Sequence, residues 1–128
     1  MGDANKYQLL DFLAECFLER GASVTYLDMG GISGLRVISE EGPARLYFSA
    51  EEEVSKMAFL KGDLSEEIII PVLKTQEEIR LKAALAQQGI ENITVYKLSL
   101  HERYIWYSRI FLSKSHDNSV SVNGSCGL

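Results

Sequence analysis

Proline is scarce in this chain, at two residues in 128, and cysteine is equally so. With only ten glycines besides, the composition excludes collagen-like, mucin-like and disulfide-framework proteins. Long hydrophobic runs are missing too. The longest, Ile68-Ile69-Ile70-Pro71-Val72-Leu73, is far too short to span a bilayer, so no membrane partner is expected. Met1-Gly2-Asp3-Ala4-Asn5-Lys6 lacks an apolar run behind a basic region, so no secretory signal is expected and the cytoplasm is the default location. Basic charge is also in deficit: 13 Lys and Arg against 18 Asp and Glu leave a net charge of −5. A general nucleic-acid coat, which needs clustered cations, is thereby disfavoured. Histidine, at two residues, is too sparse and too dispersed for a zinc site with Cys16 and Cys126.

What is present is an ordinary soluble-domain composition, 46% hydrophobic and 24% charged. The length suits one domain, expected over residues 1–113, with a flexible polar tail over 114–128. The charge is uneven. Residues 1–67 hold 13 acids and 6 bases, and residues 68–128 hold 5 acids and 7 bases.

Leu9, Leu10, Leu13, Cys16 and Phe17 recur at helical spacing and predict an amphipathic helix from about Asn5 to Arg20, stopped by Gly21. A strand follows over Ala22–Asp28. Met29–Gly34 then reads as a flexible connection to a hairpin of Leu35–Ser39 and Arg45–Phe48. Ser49-Ala50-Glu51-Glu52 reads as a capping box opening a helix to about Leu60, with Val54, Met57 and Ala58 inward. Ile68–Leu73, apolar on both faces, predicts a strand covered on both sides. A second box, Thr75-Gln76-Glu77-Glu78, opens a helix to Gln88 marked by Ile79, Lys82, Ala83, Leu85 and Ala86. Ile93–Leu98 then completes a strand–helix–strand crossover. Arg103–Leu112 reads as a last strand. The expected fold is a mixed α/β single domain, α-β-β-β-α-β-α-β-β, with helices packed on a central sheet.

Covalent catalysis has little to work with. Cys16 lies in an apolar stripe, Cys126 in the tail, and Gly31-Ile32-Ser33-Gly34-Leu35 lacks the last glycine of a nucleophile elbow. Gly30-Gly31-Ile32-Ser33-Gly34 leads into a strand with no following Lys-Ser/Thr, so the Walker pattern fails and a mobile hairpin connection is expected in place of a phosphate loop. Carboxylates are the richer resource. Asp28, Glu40 and Glu51 are the candidates for a Mg²⁺ site of the kind that activates water in metal-dependent nucleases.

Over roughly residues 5–75, the order helix, three-strand meander, helix, strand is similar to the core of the restriction-endonuclease-like (PD-(D/E)xK) superfamily, which includes archaeal Holliday-junction resolvases. Phe12–Asp28 resembles its first helix and strand, and Leu35–Ser49 its hairpin. The resemblance implies a metal-binding Asp at Ser33 or Gly34, a Glu at Tyr47 or Phe48, and a Lys at Ser49 or Ala50. None of the three is present. The resemblance therefore implies the fold and a non-catalytic relative, with no cofactor.

Large groups sit on both faces of Arg103–Leu112 when it is read as a strand. Arg103, Tyr107 and Phe111 share one face with Arg109, opposite Tyr104 and Trp106. Trp, Tyr and Arg are the residues enriched at interface hot spots. These residues are the binding candidates of a small interaction or regulatory module (a regulator, inhibitor, immunity or adaptor protein) whose partner is another protein or a second copy in a homodimer. The alternative is a nucleic-acid-associated protein using Arg103, Tyr107, Arg109 and Lys114, or a metal-dependent nuclease with relocated acids.

Overall fold

A computed structural model describes the chain from Gly2 to Ile105, with side chains from Leu9 onward. It is a mixed α/β single small domain in which helices flank a five-stranded sheet of order β1-β2-β3-β4-β5. Helix α1 spans Gly2–Glu19, β1 Ser23–Met29, β2 Ile32–Ser39 and β3 Gly42–Tyr47. A 3-10 helix, Glu51–Leu60, crosses to β4, Glu67–Val72, and α2, Thr75–Gln87, crosses to β5, Thr94–Lys97. The first three strands are antiparallel, while β3, β4 and β5 run parallel, so β2 alone opposes the rest.

Local chemistry explains most boundaries. The chain leaves α1 through Gly21 at φ 87°, which lets the Ala22 N–H reach back to the Phe17 carbonyl at 3.0 Å. Between β1 and β2 the expected flexible connection is instead a two-residue turn. Met29 pairs with Ile32, and Gly30 and Gly31 both take positive φ, as a turn matched to strand twist demands. β2 consequently starts at Ile32, three residues earlier than expected. Pro71 is tolerated inside β4 for a positional reason. The Val72 carbonyl accepts from the Leu98 N–H on the β5 side, so Pro71 faces the β3 side, where the ladder has ended at Leu46–Ile69.

Alternation divides the sheet into two apolar faces. On one, Leu35, Val37 and Leu46 pack with Leu9, Leu10, Phe12, Leu13 and Cys16 of α1. On the other, Ile32, Tyr47, Ile68, Ile70 and Val95 pack with Met57, Leu60, Leu81 and Leu85. The first crossover element is a 3-10 helix because its buried residues, Val54, Met57 and Leu60, recur every three positions, matching three residues per turn. Ala58, expected inward, is exposed. In α2 the buried pair is Leu81 and Leu85, and Ile79 faces solvent. Both capping motifs sit one residue off the expected register. The Ala50 N–H donates to Glu53 Oε1 at 3.2 Å, and the Leu73 and Lys74 N–H groups donate to Glu77 Oε1.

Gly34 marks a close approach of backbone between β2 and β3. A Cβ built on Gly34 would stand 2.5 Å from the Leu46 carbonyl oxygen and 2.9 Å from Tyr47 Cδ1. Backbone cannot yield as a flexible side chain does, so Gly34→Ala is expected to lose about 1–3 kcal/mol. Urea denaturation would show this as a lower midpoint, and an unchanged midpoint would mean that the strands separate without cost.

Candidate functional site

The register places the positions singled out by the nuclease resemblance side by side. Gly34 pairs with Tyr47, and the Phe48 N–H donates to the Ser33 carbonyl at 2.9 Å. They therefore meet at one end of the sheet but bring no carboxylate. The space beside Gly34 is taken by the Tyr47 ring, which is fully buried and meets Phe59 edge-on at 6.1 Å between centroids and 85° between planes. Asp28, at the β1–β2 turn opposite Ser33, is exposed; so is Glu51, in the first turn of the 3-10 helix. Glu40 lies in the other hairpin, at the far end of β2, about 20 Å from Asp28 at roughly 3.3 Å per residue. Among the described residues, no group of three or more His, Cys, Asp or Glu side chains could hold a metal ion.

A charge cluster does form elsewhere. Arg36 of β2 and Arg45 of β3 are register partners and project on the face that carries the 3-10 helix. The Arg36 guanidinium binds Glu66 through Nε at 3.1 Å and Nη2 at 3.0 Å. Arg45 Nη2 reaches Asp63 Oδ2 at 2.7 Å, and its Nε lies 3.7 Å from Glu66 Oε1. Asp63 Oδ1 accepts from the Ser65 hydroxyl at 2.6 Å and the Ser65 N–H at 3.0 Å. These bonds from Ser65, with the hydrogen bond and positive charge of Arg45, hold the Asp63 carboxyl well below the usual range. Asn92 completes the arrangement by donating to the carbonyls of Leu60 and Asp63 at 2.8 and 2.7 Å. Two acids answer two guanidiniums here, so the cluster ties the β3–β4 crossover to the sheet and leaves no charge over for substrate. Sequence pattern carried a signal for it. Arg36 and Arg45 each interrupt an apolar strand, where an isolated cation requires a partner.

The aromatic C-terminal segment begins differently from expectation. Residues 100–105 are helical, so Arg103–Ile105 does not start a strand. The physical reason is a reciprocal cap that the sequence reading passed over, Ser99-Leu100-His101-Glu102. The Glu102 N–H donates to Ser99 Oγ at 3.1 Å, the Ser99 N–H donates to Glu102 Oε1 at 2.7 Å, and the Arg103 N–H closes a helical turn on the Ser99 carbonyl. The Tyr96 hydroxyl also donates to Glu102, at 2.8 Å. Burial pushes the Glu102 carboxyl up, but these hydrogen bonds outweigh it and leave the group below its ordinary range. Helical geometry regroups the candidates. Leu100 and Tyr104, one turn apart, share a solvent-facing side at 76% and 70% exposure, while Ile105 packs on the α1 core. Arg103 is half-buried. Trp106, Tyr107, Arg109, Phe111 and Lys114, like the expected tail, lie outside the described residues.

Comparison with protein-family models, with curated proteins and with solved structures returns no match to this chain. Its class rests on the fold alone, a mixed α/β domain, and no helix of the described residues is long and apolar enough to cross a membrane.

The Arg45–Asp63 pair has a definite pH signature. Because the folded carboxyl titrates below its unfolded value of about 3.9, its contribution is present above about pH 4 and is lost as pH falls toward the folded value. Asp63→Asn is therefore expected to lower the urea midpoint at neutral pH, with the gap to wild type closing below about pH 4. A gap that stays constant with pH would assign the loss to something other than the ion pair.

Proposed function

We propose that the chain is a small non-catalytic protein-interaction or regulatory module, of the regulator, inhibitor, immunity or adaptor type, working in the cytoplasm and able to bind a second copy of itself. One observation carries the reading. The turn after β5 is held in place by the Ser99–Glu102 cap and by Ile105 on the core, yet it turns Leu100 and Tyr104 outward. A pair of large apolar side chains presented on a backbone turn that is already capped is suited to binding, since less main-chain ordering entropy remains to be lost. Tyrosine is moreover among the residues that dominate interface energetics. The nuclease alternative is opposed by the buried Tyr47 ring beside Gly34 and by the separation of Asp28 from Glu40.

Light scattering over a range of concentrations tests the self-association. The wild type is expected to dimerise, and Leu100→Ser or Tyr104→Ser to weaken the dimer by about 2 kcal/mol, roughly thirtyfold, without changing the circular dichroism. Trp106→Ala serves as a companion variant for the adjoining segment. A wild type that stays monomeric at every concentration would remove self-association from the reading.

A further inference from the structure

β1 forms one edge of the sheet and, among the described residues, pairs only with β2. Its register against β2 is continuous from Ser23 to Met29, with no bulge, and the strand contains no Pro, Lys or Gly. Bulges, prolines and lysines are among the devices that blunt an edge against further pairing, and β1 has none of the three. Alternate backbone N–H and C=O groups of β1 point away from β2, in ladder geometry, along the length of the strand.

The edge also has a charge. Val24, Tyr26 and Asp28 alternate onto the face that carries α1, where the Tyr26 hydroxyl donates to Asp11 Oδ1 at 2.6 Å. Partial burial of the phenol, its bond to Asp11, and the negative charges of Asp11 and Glu15 push Tyr26 up to about 12. Asp28 is exposed one strand repeat further along the same face. Asp28 is the only charged residue of β1 itself and Asp11 comes from α1, so a second copy of β1 laid on this edge would bring further acids and no cation to this face. A cationic strand meets the opposite situation.

We propose that β1 is a strand-addition edge for an extended segment of another protein with Lys or Arg at alternate positions. The segment extends the sheet beyond β1 and lays its cations along Asp11, Tyr26 and Asp28. Main-chain hydrogen bonds supply the affinity, the carboxylates select the charge, and the Tyr26 ring offers a face to an ammonium or guanidinium group. This proposal deepens the interaction-module reading by naming a partner's chemistry, and it rests on that reading for the existence of a partner.

The test uses the whole chain with two synthetic peptides, one alternating Lys with Val and one alternating Glu with Val. Calorimetry at low salt is expected to show binding of the Lys peptide alone. Added salt weakens that binding. Replacing both acids, Asp11→Asn with Asp28→Asn, is expected to weaken it about tenfold, a modification that keeps an acceptor for Tyr26. Amide exchange is expected to slow within Ser23–Met29 on binding. Equal binding of both peptides, binding of neither, or protection at Thr94–Lys97 in place of β1 would each overturn the proposal. So would a peptide-free monomer whose β1 amides are all slow already, because its own chain would then cover the edge. The two readings separate cleanly. Self-association lost in Tyr104→Ser with no peptide binding retires the β1 edge alone. Peptide binding by a wild type that is always monomeric retires self-association through Leu100 and Tyr104 alone.

Discussion

Strands β2, β3 and β4 carry apolar side chains toward both sides of the sheet, and a sheet with two apolar faces must be covered twice. On one side Leu35, Val37 and Leu46 require α1. On the other, Ile32, Tyr47, Ile68 and Ile70 require the 3-10 helix and α2. At about 25 cal/mol per Å² of apolar surface withdrawn from water, either face left open would cost far more than any single polar contact recovers. The parallel arrangement of β3, β4 and β5 follows from this need. Each crossover must travel back along the sheet, and a helix does so while burying one of its own sides.

The polar features are subordinate to that layering. Arg36 and Arg45 stand in register on a largely apolar face, and Glu66 and Asp63 arrive from the loop before β4 to meet them. The same loop is drawn in by Asn92, so the crossover is anchored from both its own end and the approach to β5. Where the nuclease resemblance implied metal ligands, packing has used the space differently. Gly34 allows β3 to approach, and the Tyr47 ring fills the gap with Phe59 against its edge. A hydrated metal ion and a buried aromatic ring cannot occupy one place, and here the ring does.

Binding is thereby left to surfaces that the layering does not use. The Leu100–Tyr104 side of the terminal turn points away from the core that holds Ile105. β1, at the sheet's margin, meets the α1 side through Val24, which packs on that core, and through the hydrogen bond from the exposed Tyr26 to Asp11. Both surfaces sit on backbone already hydrogen-bonded to its neighbours, and such pre-organisation reduces the entropy lost on association.

Much of the fold was legible in sequence because it depends on neighbours in the chain. The Leu9–Phe17 stripe marked α1, Gly21 its end, and unbroken apolarity marked β4 as a central strand. The Ser-x-x-Glu cap at Ser99 was equally local and outweighed the β-forming look of the aromatic residues after it. Of the candidate site, sequence showed that Tyr104 and Arg103 belong to an unusual segment, but not that Leu100 joins Tyr104, because strand and helix periods group different residues. Side-chain patterning and turn chemistry thus determined the elements and the composition of the two faces. Tertiary structure alone decided that Arg45 finds Asp63, that Asp28 and Glu40 lie at opposite ends of β2, and that β1 is an edge strand among the described residues. Those outcomes depend on which strands become neighbours, which is settled by competition among all apolar faces for cover and is not written at any one position.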